Sequence, residues 1–370
     1  MTGAGKPRVL VAGAQTGGHL MPARVLGNRL QEAGYEVTLV ATGAEIEQKV
    51  LDGVGLEVEI LKSPRWKGMR FHRRVFGLVR LPGALVAAIR LVRRVRPDVV
   101  VGFGGSSSGL VCLAAALLGV PMAFSEPNSV PGFANRLLAP FARRIFVAYE
   151  QAERRFPRRS AVRTGTPVRP EVLEVPPKTY RGPARRVLVF GGSQGSAFLN
   201  ERIPRVLAAV CASGVPLEVL HQTGLGREGP VREAYAAARV PATVQDYLSD
   251  MAAAYRFSDF VISRSGAATV AEVTAIGIPA LFVPFALAAD DHQTGNARPV
   301  AEAGGALMVE EREFDDAEMA HRLAELFNDP GRLQTMAERS RSFGRRDALD
   351  RMMAEIAGIT PWPRRPPVEA

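Results

Sequence analysis

Cysteine is scarce in this chain. The two present among 370 residues, Cys112 and Cys211, lie in apolar surroundings in different halves. That excludes a disulfide scaffold and fits buried, reduced thiols in a cytosolic protein. Long apolar runs are missing too: no stretch approaches the roughly 20 residues of a membrane span. The opening MTGAGKPRVLVAGAQTGG has an apolar run too short and too glycine-rich for a signal peptide. No Asp-x-Asp pair stands at a strand end, so there is no metal motif, and Asp290-Asp291 reads as loop chemistry. No RRM, KH or zinc signature accompanies the basic residues, which argues against a nucleic-acid reader. What remains is a chain with 47% hydrophobic and 23% charged residues, the composition of a soluble globular protein long enough for two domains. Its formal net charge of +10 calls for an anionic partner or an anionic surface.

The most informative stretch is Phe260 to Asn296, FVISRSGAATVAEVTAIGIPALFVPFALAADDHQTGN. A short apolar strand, Phe260–Ser263, is broken by Arg264-Ser265-Gly266. A helix over Ala267–Ile276 follows, and Gly277 and Pro279 stop it before a second strand, Ala280–Val283. Free N–H groups at such a helix start converge on one point, and the helix dipole favours an anion there. Glu272, one turn further in, is placed to accept hydrogen bonds from two ribose hydroxyls. His292 and Gln293 follow the next strand on the same sheet edge, with room for a sugar. The same stretch also reads as an ordinary βαβ crossover.

The chain begins in a similar way. Strand Arg8–Ala12 leads into the loop Gly13–His19, a helix from about Met21 to Ala33, and strand Glu36–Ala41. A parallel sheet with right-handed crossovers is the natural assembly, and its carboxyl edge is where ligands bind. His19 stands on that edge, as a functional group or as a structural histidine. Further strands are expected at Asp98–Phe103, Met122–Phe124 and Arg144–Val147, with Glu126 and Asn128 in loop, cap or site roles. Thr164–Pro183 is proline-rich and aperiodic and reads as an interdomain linker. After it, strand Arg186–Phe190, the loop Gly191–Ser196 and a helix from Ala197 repeat the opening pattern, and amphipathic helices close the chain over about Ala317–Ile356. The residues beyond Pro361 are rich in proline and arginine and read as disordered.

Leu61–Pro97 holds eleven Lys and Arg and no acidic residue. Trp66, Phe71 and Phe76 are interleaved with Arg70, Arg73 and Arg74, the mix that suits an anionic membrane surface. The alternative is a core helix over Ala84–Val95 whose arginines snorkel to water, preceded by a solvated loop.

Six motifs in order and spacing make a more specific case: TGGH (Thr16–His19), GGSQGS (Gly191–Ser196), DMAAAY (Asp250–Tyr255), RSGAATVAE (Arg264–Glu272), PALFVPF (Pro279–Phe285) and DDHQTGNA (Asp290–Ala297). Over about Val9 to Ile356 the chain resembles the MurG family, the UDP-N-acetylglucosamine:lipid I N-acetylglucosaminyltransferases of peptidoglycan synthesis. The resemblance implies an α/β GT-B fold: two Rossmann-like parallel-sheet domains facing a deep cleft. By that resemblance residues 1–165 would form the acceptor and membrane-association domain, residues 166–343 would bind UDP-GlcNAc, a helix over about 344–358 would return to the first domain, and 361–370 would be a tail. The implied activity is inverting transfer of GlcNAc to the C4 hydroxyl of the MurNAc of lipid I, giving lipid II, with roles in cell shape and division. Partners would be UDP-GlcNAc, lipid I, the anionic cytoplasmic face of the inner membrane and other cell-wall synthesis proteins. Nucleic acid, metal and cofactor are not expected. Rival readings are a UDP-GlcNAc 2-epimerase-like enzyme and a non-catalytic basic module binding membrane or nucleic acid.

Residue by residue, the resemblance makes His19 the candidate catalytic base, with His292 as a rival on the donor side. The donor set it implies is Thr16, Gly17, Gly18, Asn128, Arg169, Ser193, Leu248, Ala267, Ala268, Thr269, Val270, Ala271, Glu272 and Gln293. Asn128 closes the sugar site, Leu248 meets the uracil through its backbone, and Gln293 reads the GlcNAc hydroxyls. Glu126, Ser107 and Ser108 fall on the acceptor side. Three stretches depart from the family pattern: Ala14–His19 is one residue longer, Ser125-Glu126-Pro127-Asn128 replaces His-Glu-Gln-Asn, and Gly104–Leu110 lacks an aromatic residue and a proline.

Overall fold

The computed structural model describes residues 6–13, 17–44, 47, 51, 55–62, 71–288 and 291–360, with backbone alone at 17 and 71–80. Two compact units result: Met1–Pro167 with Asp347–Ala370, and Val168–Arg346.

The first unit is built on seven strands: β1 (Arg8–Ala12), β2 (Glu36–Ala41), β3 (Glu57–Ile60), β4 (Val99–Gly102), β5 (Met122–Glu126), β6 (Arg144–Val147) and β7 (Ala161–Arg163). They pair in the order β3-β2-β1-β4-β5-β6-β7, all parallel. Alternation along β1 divides the core. Leu10 and Ala12 pack under the Phe71–Val95 and Ser106–Leu117 helices, while Val9 and Val11 pack with Leu20, Leu26 and Leu30 on the other face. Met352 and Ile356 of the Ala348–Ile359 helix join that second face, so the end of the chain completes the first unit. Arg144 ties β6 to the same helix through Glu355.

The second unit repeats the plan. Strands β8 (Arg186–Phe190), β9 (Glu218–Gln222), β10 (Ala242–Gln245), β11 (Phe260–Ser263), β12 (Ala280–Phe282) and β13 (Leu307–Met308) pair in the order β10-β9-β8-β11-β12-β13, again all parallel. In each sheet the strand order reverses beside the first strand, between β1 and β4 and between β8 and β11. Such reversals open a crevice at the carboxyl ends of the strands.

Four expectations change. The helix expected over Ala84–Val95 begins at Phe71 and runs 25 residues through Pro82. Pro82 removes one backbone donor and, with the dense arginines, hides the first half from a periodicity reading. The proline-rich stretch expected as a linker does hold the boundary between the units, at Pro167–Val168, but from there on it is packed structure: Pro170 starts a short helix to Leu173, and Val168, Val172 and Val175 are buried in the second unit's core. The residues after Asp291 form a helix, His292–Glu302, and the first helix starts at Gly17, so His19 lies in its first turn. The tail expected at 361–370 lies outside the described residues.

One buried group sets a pH dependence. His221 on β9 is fully buried, with Nδ1 3.0 Å from the Tyr235 hydroxyl and Nε2 3.2 Å from Asn200 Oδ1. Asn200 Nδ2 donates to Thr223 O, so Oδ1 accepts, Nε2 carries the proton and Nδ1 accepts from Tyr235. Burial pushes the imidazole down to about 3. The unfolded chain therefore binds the proton more readily, so this stability is present above the ordinary histidine pKa and lost as pH falls from about 6.5 toward 3. We expect about 2 kcal/mol of loss between pH 7 and pH 5. Urea unfolding at the two pH values should show it, with a shallower pH slope in His221→Gln. An equal slope in the variant would place the acid sensitivity elsewhere.

Candidate active site

In the second unit, β11 ends at Ser263 and the Ala267–Ile276 helix begins with Gly266 at its N-cap and no side-chain cap. The first helical bond is made by Val270 N–H to Gly266 O, 3.0 Å, so the N–H groups of Ala267, Ala268 and Thr269 precede the ladder and point out of the helix start. Val270 packs into the core below, and Ala271 lies partly buried against it. Gly277 stops the helix at φ 77°, where an added Cβ would come 2.8 Å from Ala337 O, so only glycine fits.

One turn in, Glu272 is 8% exposed. Arg169 Nε donates to its Oε1 at 2.8 Å and Arg169 Nη2 to its Oε2 at 2.9 Å, a fork meeting a carboxylate edge-on. The Tyr255 hydroxyl donates to Oε2 at 2.9 Å. Burial, the largest single influence, lowers the Arg169 guanidinium, but the charge and hydrogen bond of Glu272 together with Tyr255 and Glu171 hold it above its ordinary range. Two residues expected in separate roles are thus one buried pair, joined by a tyrosine to which the sequence assigned none.

The neighbouring loops are fixed by similar contacts. Arg264 is 7% exposed, donates to Val283 O and Pro284 O at 3.1 and 3.0 Å, pairs with Glu311, and lies over the rings of Phe198 and Phe285. Gln293 sits in the first turn of its helix. Its Oε1 accepts from Phe285 N–H at 3.0 Å and its carbonyl from Ser265 Oγ at 2.9 Å, which orients the amide between the two loops. In the loop after β8, Gly195 has φ 69°, and a Cβ there would come 1.9 Å from Thr223 O. This close backbone approach presses the Ser193-bearing turn against the end of β9. Ser193 is half-buried, and Leu248 is a core residue whose backbone lies beyond β10.

In the first unit His19 is half-buried, with its ring over Gly104 after β4. A Cβ at Gly104, φ 93°, would come 3.0 Å from His19 Cε1 and Nδ1. Gly104 N–H donates to Ser108 Oγ at 3.2 Å. Ser107 and Ser108, expected on the acceptor side, are 0% and 2% exposed, inside the first turn of their helix. Glu126 at the end of β5 is 1% exposed and accepts from Asn128 N and Nδ2 at 3.1 and 3.2 Å and from Gly132 N and Asn135 Nδ2 at 2.8 Å each. Burial raises its carboxyl above the usual carboxylate range, with these four donors opposing. Glu126 organises the loop that carries Asn128.

Thr16, Trp66 and Arg70 lie outside the described residues, and of Gly17, Phe71, Arg73, Arg74 and Phe76 only the backbone is described, each within a helix. Gly18 is exposed in the first turn beside His19. Among the described residues no three His, Cys, Asp or Glu gather to hold a metal ion, and no helix is long and apolar enough to cross a membrane.

Residues 9–147 match the glycosyltransferase family 28 N-terminal domain and residues 186–352 its C-terminal domain. The chain is 37% identical over 94% of its length, and 95% of the relative's, to the UDP-N-acetylglucosamine–N-acetylmuramyl-(pentapeptide) pyrophosphoryl-undecaprenol N-acetylglucosamine transferase of Aeromonas hydrophila. Its structure is similar to the crystal structure of MurG from Acinetobacter baumannii, with a TM-score of 0.75, 30% identity, and 95% and 99% of the two chains covered. The UDP-GlcNAc 2-epimerase of Neisseria meningitidis, bound to UDP-GlcNAc, shares the fold at a TM-score of 0.68 and 12% identity, over 95% and 100% of the two chains.

Proposed function

The chain belongs to glycosyltransferase family 28, and from that premise we propose that it is the inverting enzyme that moves GlcNAc from UDP-GlcNAc to the C4 hydroxyl of the MurNAc of lipid I, giving lipid II. The observation that carries this reading is the donor-type helix start of the second unit, with a buried carboxylate one turn in, in a chain similar over 94% of its length to an N-acetylglucosamine transferase. In the reaction the MurNAc O4–H bond gives its proton to a base, an O4–C1 bond forms, and the C1–O bond to UDP breaks with its electron pair leaving on UDP. The α-linked donor becomes a β-1,4 product.

We assign the base to His19, of a residue type that titrates near working pH. The diphosphate goes to the N–H groups of Ala267, Ala268 and Thr269, whose fixed dipoles take up the charge as it develops, without a metal. Arg169 uses Nε and Nη2 on Glu272, which leaves the Nη1 edge for a phosphate oxygen. Glu272 accepts from the ribose, Gln293 and Asn128 read the GlcNAc, Ser193 supports the phosphates, and Leu248 offers backbone to the uracil. Glu126, Ser107 and Ser108 act from beneath, by shaping the acceptor-side loops.

Acceptor dependence tests the reading. With UDP-GlcNAc alone UDP release should be near background, and a short-chain lipid I analogue should switch it on. Fast acceptor-independent release of UDP with a 2-epimer of GlcNAc would instead make the chain an epimerase.

The lipid acceptor calls for work at a membrane surface, and Trp66, Phe71 and Phe76 with Arg70, Arg73 and Arg74 are the proposed patch at the cytoplasmic face. Replacing the three aromatics by Ser should weaken binding to anionic liposomes by about tenfold or more while activity on a water-soluble acceptor stays high. Wild-type protein that ignores anionic liposomes would make the patch structural.

A further inference from the structure

Tyr255 lies on the Met251–Phe257 helix, which Asp250 caps by accepting from Ala253 N–H at 2.8 Å. Its ring is fully buried and stands edge-on to Phe190, centroids 6.3 Å apart. Its hydroxyl reaches Glu272 Oε2 at 2.9 Å from a helix other than the one bearing Glu272 and a segment other than the one bearing Arg169. From these contacts we infer that Tyr255 is a positioning residue that sets how Glu272 discriminates ribose from deoxyribose, an inference that rests on the assignment of Glu272 to the donor ribose.

A carboxylate oxygen has two acceptor positions in its plane. Oε2 takes Arg169 Nη2 and the Tyr255 hydroxyl, and Oε1 takes Arg169 Nε with Nη2 also 2.8 Å away, so the protein engages both oxygens. Glu272 therefore meets the ribose as a carboxylate whose rotation the protein sets, rather than as a bare one free to turn toward either hydroxyl. An arginine fork alone lets a carboxylate slide along it. A third donor from a rigid, buried ring fixes the rotation and hence the direction in which the carboxylate accepts. Burial, with the Glu272 charge adding to it, keeps the phenol protonated far above its usual range, so it donates at every working pH. Removing the hydroxyl frees Oε2 and unpins the carboxylate, and the selective contact loses its direction.

The test compares full-length wild type and Tyr255→Phe for binding of UDP, 2′-deoxy-UDP and 3′-deoxy-UDP by calorimetry. A hydrogen bond to a charged acceptor corresponds to about tenfold or more in affinity, so wild type should prefer UDP over at least one deoxy form by that factor. Tyr255→Phe should lose most of that preference, with the donor KM rising more than kcat falls. In a Glu272→Gln background the Tyr255 substitution should leave the ratio unmoved, because the effect passes through the carboxylate. The readout is a ratio within one preparation, so a partly unfolded sample does not shift it. A preference retained in Tyr255→Phe overturns the role of Tyr255 alone. Equal affinities for all three nucleotides in wild type overturn the ribose assignment of Glu272 and the role of Tyr255 with it.

Discussion

His19→Ala should lose about 10²–10⁴-fold in turnover, the range of a positioned proton-transfer group. Donor affinity should change far less, since the residue serves the attacking hydroxyl rather than the nucleotide. The wild-type rate should fall on the acid side as the base is protonated, and the variant should lack that limb. Position supports the assignment: the ring is carried in the first turn of the helix after β1, at the reversal of strand order, and rests on Gly104. The same contact predicts that Gly104→Ala displaces the ring, since a Cβ would come within 3.0 Å of two of its atoms. Turnover near wild type in His19→Ala would send the base elsewhere. Glu126 is the next carboxylate on that edge, although four hydrogen bonds already engage it.

Glu272→Ala should do two things at once. It removes the proposed ribose acceptor, which corresponds to about 10- to 100-fold in UDP affinity. It also leaves Arg169, 13% exposed at its side chain, without its partner, and breaking a buried pair in this way costs about 3–5 kcal/mol. Since Arg169 and Glu272 join the packed Val168–Val175 stretch to the Ala267–Ile276 helix, the loss should appear as a lower melting temperature of the protein. Glu272→Gln separates the effects: it keeps a carbonyl for Arg169 and should melt higher than the alanine variant while still binding UDP poorly. Unchanged UDP affinity in a folded Glu272→Ala protein would remove Glu272 from the site.

The sheets were legible in the sequence where strands are buried on both faces. RVLVA at β1, RVLVF at β8 and FVIS at β11 are near-continuous apolar runs, as parallel strands require. Edge strands carry no such signal: EVEI at β3 alternates charge with apolar residues on the rim of the sheet, and AVR at β7 is three residues long. The helix after Asp291 was missed because Gly295 and Pro299 lie within it. Site motifs were legible because a glycine turn before a helix is local. The pairing of Arg169 with Glu272 was not, since 103 residues separate them and the contact exists only because the proline-rich stretch packs on the second unit. Tyr255 reads in sequence as one more core aromatic, and only its hydroxyl distance reveals its partner. The burial of Ser107, Ser108 and Glu126 was hidden for the same reason: polar residues at strand ends look alike whether they face a ligand or cap a loop.

The structure of the product tests the central claim most directly. Purified protein, UDP-GlcNAc and a short-chain lipid I analogue should yield a product heavier by one N-acetylhexosamine, with the new sugar on O4 of MurNAc and the large anomeric proton coupling of a β linkage. An acceptor that comes back with its mass unchanged, or a product carrying an α linkage, would contradict inverting transfer to lipid I.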